Sequence, residues 1–189
     1  ELVIPDQLFG WTQGRVSTFF GGGLVAHVSF ADPTCPILGK SLFAAGQSVG
    51  ARIHCGGTYL CIEGPQFSTR AESRIYRSWG VDVIGMTNLQ EAKLCREAEI
   101  CYATLALVTD YDVWHETEQD VSVEAVVAIL KQNAKTAQAI IKATVSSFPA
   151  DREGCSCGSA MQDAIITARD AISDDARERL RPIIGKYIT

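Results

Sequence analysis

At 189 residues, 47% hydrophobic and 21% charged, the chain has room for one domain, or one and a small appendage, around a sizeable core. Its net charge of −5, with acids and bases interspersed, provides no basic stripe for nucleic acid and no polybasic patch for a membrane surface. No apolar run approaches the roughly 18–20 residues of a membrane span, and Glu1-Leu2-Val3-Ile4-Pro5-Asp6 lacks the basic and apolar regions of a signal peptide, so the expectation is a cytoplasmic protein that engages neither nucleic acid nor membrane.

Taken in chain order, Leu2–Ile4 reads as a strand. Gly21-Gly22-Gly23 forms a loop or tight turn without the G-x-x-x-x-G-K phosphate signature, and residues 24–30 read as a second strand. Residues 36–49 have helical spacing at Ile37, Leu38, Leu42 and Phe43. Thr58–Ile62 is a strand stopped by Gly64-Pro65. Thr69-Arg70-Ala71-Glu72 fits a capping box opening a helix that runs through Ser78 and ends at Gly80. Residues 81–84 read as a short buried strand. Residues 88–99 read as a helix, with Asn88 as N-cap and Glu91 three positions on. Residues 100–109 form the longest strand pattern, apolar on both faces, as expected where helices cover both sides. The longest helix spans 121–147, with Ser122 as its cap and an apolar face of Val123, Val126, Val127, Leu130, Ala134, Ala137 and Ile141. After a connection at 148–159, helical segments are expected at 160–169 and, capped by Ser173, at 174–180, with Pro182 breaking the pattern.

This alternation predicts an α/β fold, a mixed central sheet flanked by helices. Residues 1–148 would form the main α/β part and 149–189 a helical tail carrying Cys155-Ser156-Cys157. The seven cysteines, an odd number, argue against a disulfide scaffold. His27, His54 and His115 are far apart and unpaired at helical spacing, and Cys155-x-Cys157 has no second pair, so the sequence offers no metal site. No G-x-G-x-x-G follows a strand, which disfavours a dinucleotide-binding module.

Ligands of open α/β sheets bind beyond the carboxyl ends of strands. Three such exits carry polar, aromatic and thioether groups together: Glu63 to Thr69, Gly85 to Asn88, and Thr109 to Asp112. Each residue has a structural reading beside the functional one. Asp110 and Asp112 could cap a loop, Met86 could fill the core, and Phe67 could staple the next helix. Glu63 could be a scaffold acid, His27 a satisfied core histidine, and Glu116, Glu118 and Asp120 a solvated acidic loop.

The run Glu63-Gly64-Pro65-Gln66-Phe67-Ser68-Thr69-Arg70-Ala71-Glu72-Ser73, followed by residues 79–87, by Ile100-Cys101-Tyr102-Ala103 and by Val108-Thr109-Asp110-Tyr111-Asp112-Val113-Trp114, resembles the signature of the 5′-methylthioadenosine phosphorylases, members of the trimeric purine nucleoside phosphorylases. The resemblance extends from residue 1 to about residue 143, and the tail resembles members with a Cys-x-Cys motif. It implies phosphorolysis of 5′-methylthioadenosine to adenine and 5-methylthioribose 1-phosphate, with phosphate as co-substrate and no cofactor. By motif position, it makes Asp110 the catalytic group at the purine N7 and 6-amino edge, with Asp112 supporting that edge and Tyr111 between them. Phe67 would pack on the purine, Ser68 tune base recognition, and Met86 pack on the ribose. Thr87 would bind phosphate, and Val123 and Val127 line a 5′-methylthio pocket. His27 would come from a neighbouring subunit, implying a homotrimer or hexamer. Cys155 and Cys157 would form a small disulfide, the alternative being two free thiols. Gly85 departs from relatives with Asn there.

The resemblance also places the family's N-terminal phosphate-holding part outside this sequence. The expectations that follow are that the chain alone is not a competent enzyme and that the missing part is either a separate companion N-terminal chain or a stretch that is disordered or omitted from this sequence. The alternatives are a 6-oxopurine or methylthioinosine phosphorylase, or an inactive fragment acting as an assembly or binding subunit.

Overall fold

In the computed structural model, which describes residues 1–114, 123–149, 151 and 154–188, two parallel strand pairs run side by side and bend at the same point. Strand β1 (Leu2–Ile4) lies parallel to β3 (Ile53–Cys55), and β2 (Gln7–Trp11) lies parallel to β4 (Thr58–Ile62). The bend is set by Pro5, which donates no ladder bond, and by Gly56 and Gly57 at φ of 90° and 107°, where side chains are strained. Backbone bonds cross it, from Gly56 N–H to the Ile4 carbonyl at 2.8 Å and from Asp6 N–H to the Gly57 carbonyl at 3.1 Å.

Strand β5 (Val83–Gly85) extends the second pair in parallel, and β6 (Ala106–Leu107) extends the first antiparallel to β1. The strands therefore form two three-stranded sheets, ordered β3-β1-β6 and β2-β4-β5. Helices α1 (Pro36–Ser48), α2 (Arg70–Ser78), α3 (Leu89–Glu97), α4 (Val123–Ser147) and α5 (Asp174–Ile184) complete the mixed α/β architecture expected from the sequence.

Burial on both faces belongs to β4. Tyr59 and Cys61 pack against Leu89 of α3, while Leu60 and Ile62 pack against Tyr76 of α2. Each such aliphatic side chain withdrawn from water contributes about 1.5–3 kcal/mol. The long strand expected at 100–109 is reduced to β6, because its first half is used elsewhere. The Tyr102 and Thr104 hydroxyls donate to Asn88 Oδ1 at 2.9 and 3.0 Å, and the Tyr102 carbonyl accepts from Cys35 N–H at 2.7 Å. The same bonds explain why Asn88, at φ 98°, does not cap α3 with its side chain.

The strand expected at 24–30 is likewise absent from both sheets. That segment lies along the tail, with His27 N–H donating to Ala164 at 2.8 Å and Ile166 N–H to Val25 at 2.9 Å. Its partner residues accordingly form turns in place of the helix expected at 160–169. Leu24 is buried with Met161, Ala164, Ile172, Ala176, Leu180 and Ile184. Ser173 caps α5 as expected, but the helix continues past Pro182 to Ile184. The amide proton that Pro182 lacks would have met the carbonyl of Glu178, an exposed residue.

Helix α4 buries a face rotated from the one expected, the two sharing Ala137. Asn133, Ala137, Ile140 and Thr144 are buried, while Leu130 and Ile141 are exposed. The α1 side chain Leu42 and β1 side chains Leu2 and Ile4 receive Ala137 and Ile140, and Asn133 Nδ2 donates to the Val108 carbonyl at 2.9 Å. That polar bond, invisible to hydrophobic periodicity, fixes the rotation of the helix. Ser122, His115, Glu116, Glu118 and Asp120 lie outside the described residues.

Candidate active site

The capping box at the start of α2 forms as its residues require. Glu72 N–H donates to Thr69 Oγ1 at 3.2 Å, and Thr69 N–H donates to Glu72 Oε2 at 2.7 Å. The Thr69 N–H and the Thr69 hydroxyl, which donates to the same Glu72 Oε2 at 2.9 Å, hold the Glu72 carboxyl below its ordinary value. With its start fixed, α2 presents Arg70, Ser73 and Arg77 at helical spacing to the loop that follows β6. Arg70 Nη1 donates to the Val113 carbonyl at 3.1 Å, and the buried Ser73 hydroxyl donates to Asp112 Oδ2 at 2.6 Å. The Arg77 guanidinium stacks 3.7 Å above the Trp114 ring, a cation–π contact.

Within this loop Asp112 has φ 60°, a left-handed conformation that Asp tolerates better than most residues. Its N–H donates to Asp110 Oδ1 at 2.9 Å, and the Thr109 hydroxyl donates to Asp110 Oδ2 at 2.6 Å. Both carboxylates are therefore held in one orientation before any ligand arrives. Tyr111 is exposed and meets Trp114 edge-on, with ring centroids 6.3 Å apart.

Loop, helix and sheets enclose a cavity of about 520 Å³, within the range of small-molecule sites. Its lining unites Phe67, Ser68, Met86, Asp110, Tyr111 and Asp112, drawn from all three predicted strand exits. Phe67 is exposed at the lining, Ser68 is half-buried, and Met86 packs partly against Leu60, Ile62 and Tyr76. Burial raises the Tyr76 phenol above its ordinary value, with the Glu72 and Asp112 carboxylates adding to the shift, so it stays neutral beside this wall.

Arg15 ties the backbone at the end of β4 to the backbone that follows β5. Its guanidinium donates to the carbonyls of Met86 and Glu63 and pairs with the Glu63 carboxylate at 3.4 Å. Glu63 also accepts from Gln13 N–H at 2.8 Å, so it serves as an exposed brace. A side chain at Gly64 would strike Met86 Sδ at 2.6 Å, and one at Gly85 would strike the Tyr59 hydroxyl at 1.8 Å. Tyr59 thus occupies the space that a larger residue at 85 would need. Burial pushes its phenol up, against hydrogen bonds with Thr87.

Other predicted residues lie elsewhere. Thr87 is exposed and does not line the cavity, although it directly follows Met86. Val127 is 41% exposed and also outside the lining, while the Val123 side chain lies outside the described residues. His27 is exposed, contrary to the core-histidine reading, and does not line the cavity. Cys155 and Cys157 are free thiols, not a disulfide, and Cys35 and Cys101 join them in one cluster. Sequence reasoning missed Ser73, Arg77 and Arg15. The first two were legible as polar residues four apart on one helix face, whereas nothing local to Arg15 signals a contact 71 residues away.

The family model of the phosphorylase superfamily matches residues 1–146. The chain is 55% identical over 187 residues to the S-methyl-5′-thioadenosine phosphorylase of Koribacter versatilis, covering 99% of this chain and 64% of that one. It is 56% identical over 189 residues to the enzyme of that name from Geobacter sulfurreducens, covering 100% and 66%. Among solved structures it is similar to a methylthioadenosine phosphorylase from an antarctic soil metagenomic library, with a TM-score of 0.88 and 48% identity over 97% of this chain and 65% of that one. It is also similar to the Schistosoma mansoni methylthioadenosine phosphorylase in complex with adenine, with a TM-score of 0.75 and 29% identity over 80% and 60%. The chain spans 64% and 66% of the length of these two curated relatives.

Proposed function

This chain belongs to the phosphorylase superfamily, and from that premise we propose that it forms the base- and sugar-holding part of an enzyme that phosphorolyses 5′-methylthioadenosine. The observation that carries the reading is the convergence of Phe67, Ser68, Met86, Asp110, Tyr111 and Asp112 on one cavity, in a chain so similar to the relatives above.

In the reaction, phosphate attacks C1′ of the nucleoside as the bond from C1′ to the purine nitrogen breaks. Positive charge gathers on the sugar, and the bond's electron pair leaves with the base. Asp110 faces the N7 edge and shares the proton that the departing purine takes up. Asp112, fixed by Ser73, accepts from the 6-amino group. A 6-oxopurine presents no such donor, so a buried acceptor would go unpaired. Phe67 offers its ring to the purine face and Met86 its thioether to the ribose. Thr87 serves phosphate beside Met86, and Val123 and Val127 serve the 5′-methylthio group. Catalysis of this kind rests on positioning and electrostatics, without a redox or group-carrying cofactor. His27, exposed on its segment, suits a contact with the nucleoside held by a neighbouring copy, which makes the working form a trimer or a multiple of it.

The test is phosphate-dependent base release from 5′-methylthioadenosine and inosine side by side, in the complete enzyme that contains this chain and in its Asp110→Asn variant. The expected result is preference for 5′-methylthioadenosine and a loss of about 10²–10⁴-fold in the variant, confined mainly to the adenine substrate. Equal losses for both bases would remove the role given to Asp110, and preference for inosine would make the protein a 6-oxopurine phosphorylase.

A further inference from the structure

Cys35, Cys101, Cys155 and Cys157 place their Sγ atoms within 4.8 Å of one another. They come from separate parts of the chain. Cys35 is the N-cap of α1, Cys101 follows α3, and Cys155 and Cys157 open the tail. Cys155 lies 120 residues from Cys35 and 54 from Cys101, yet the sulfur separations are 3.7 and 3.4 Å. We propose that these four thiols form a tetrathiolate site for one divalent cation of the zinc type, which fastens the tail to the α/β body.

The distances favour one shared centre over pairwise bonding. Zinc–sulfur bonds of about 2.3 Å give a tetrahedron with edges of about 3.8 Å. The two measured separations lie within about 0.4 Å below that edge, and the 4.8 Å limit on the rest leaves about 1 Å of adjustment, within reach of small side-chain rotations. A disulfide needs sulfurs about 2.05 Å apart and uses two at a time. Mutual proximity of all four is not required by any pairing. Soft thiolates in a tetrahedral set select zinc-like ions.

The surroundings fit the charge. Four thiolates around a divalent ion leave a net negative centre. Cys35 sits at the positive N-terminus of the 13-residue helix α1, where Leu38 N–H donates to its Sγ at 3.5 Å. Arg96 Nη1 lies 4.0 Å from Cys157 Sγ, and the same guanidinium is anchored on the Asp32 carbonyl. Cys35 and Cys157 are buried at 1% and 3% exposure, whereas Cys101 and Cys155 are half-buried and give the ion its way in. As the sulfurs bind the ion, their thiol protons pass to solvent. Cys55, Cys61 and Cys95 stand outside the cluster.

The test is purification under a non-thiol reductant without added metal, followed by elemental analysis, thiol counting with and without a strong chelator, and replacement of the bound ion by cobalt(II). The expected result is close to one zinc per chain, four of the seven thiols unreactive until the chelator is added, and thiolate-to-cobalt charge-transfer absorption with the visible bands of a tetrahedral ion. Loss of even an outer partner of a metal ligand weakens binding about 10–100-fold, so Cys101→Ser and Cys157→Ser should each weaken it at least tenfold and alter the cobalt spectrum. If either variant fails to fold, the wild-type stoichiometry and spectrum decide. Protein without metal, whether its thiols react freely or its mass reports disulfides, would overturn the proposal. So would an iron–sulfur cluster, or a cobalt spectrum unaffected by Cys101→Ser.

Discussion

The loop at 109–114 and the tail at 154–188 both make much of their structure outside long regular elements, and they are held in opposite ways. Among the described residues the loop is met by one face of α2, whose Arg70, Ser73 and Arg77 reach Val113, Asp112 and Trp114 in step. The tail is gathered from many places. Leu24 enters its core, Glu99 accepts from Met161 N–H at 3.0 Å and pairs with Lys186 at 2.5 Å, and Arg179 donates to the Phe19 and Gly21 carbonyls. A site held by one helix can be tuned by one residue at a time. A tail held by several weak ties should resist the loss of any one of them.

The largest effect on this contrast should come from Ser73→Ala. Ser73 is 1% exposed, and its hydroxyl donates to one oxygen of the Asp112 carboxylate. Leaving a charged acceptor without this donor costs about 1–3 kcal/mol. That corresponds to roughly tenfold to hundredfold in kcat/KM for the adenine substrate, since about 1.4 kcal/mol is tenfold. As a positioning residue, Ser73 should act through Asp112. Asp112→Asn and Ser73→Ala should therefore be strongly non-additive in a double-mutant cycle. Additive losses would mean that α2 does not hold the loop in the manner described.

A smaller effect is expected in the tail from Glu99→Gln. Glu99 is buried at φ 57°, and its carboxylate also accepts from the Tyr187 hydroxyl. Burial works against its charge, but the bonds from Lys186, Tyr187 and Met161 outweigh burial and hold the carboxyl below its ordinary value. The amide keeps an acceptor and loses the charge, so the cost should be about 1–2 kcal/mol. Hydrogen exchange should localise the loss to residues 156–188, with the cavity loop unchanged. Opening of both regions together would show that loop and tail are one cooperative unit.

The same contrast explains what the sequence disclosed. Helix α2 was legible from Thr69 to Gly80 because capping box, helix body and terminating glycine are all local. The cavity residues were legible because each follows a strand end within a few positions. Residues 24–30 and 160–169 were misread because each looks regular alone, and only their pairing at Ala26 and Ile165 shows that they complete each other. The buried face of α4 was misread because Asn133, a polar residue, sets it through the Val108 carbonyl. The cysteine cluster was invisible because its members run from Cys35 to Cys157, so no spacing rule could have joined them.

The smallest effect is expected at the root of the loop's support, the capping box itself. Thr69→Ala removes the acceptor for Glu72 N–H and should cost about 1 kcal/mol of stability. The acid side of the same box makes a sharper test. The hydrogen bonds from Thr69 depress the Glu72 carboxyl in the folded chain below its ordinary value of 4.5. A depressed folded value means that this contribution is fully present above the unfolded value and is lost as pH falls through the folded one. Wild-type protein should therefore lose this increment on acidification below pH 4.5, and Thr69→Ala should show a shallower acid dependence of its unfolding midpoint. Identical acid profiles would mean that the box does not bear on stability, and that the order of α2 comes instead from Tyr76 and the packing of β4 beneath it.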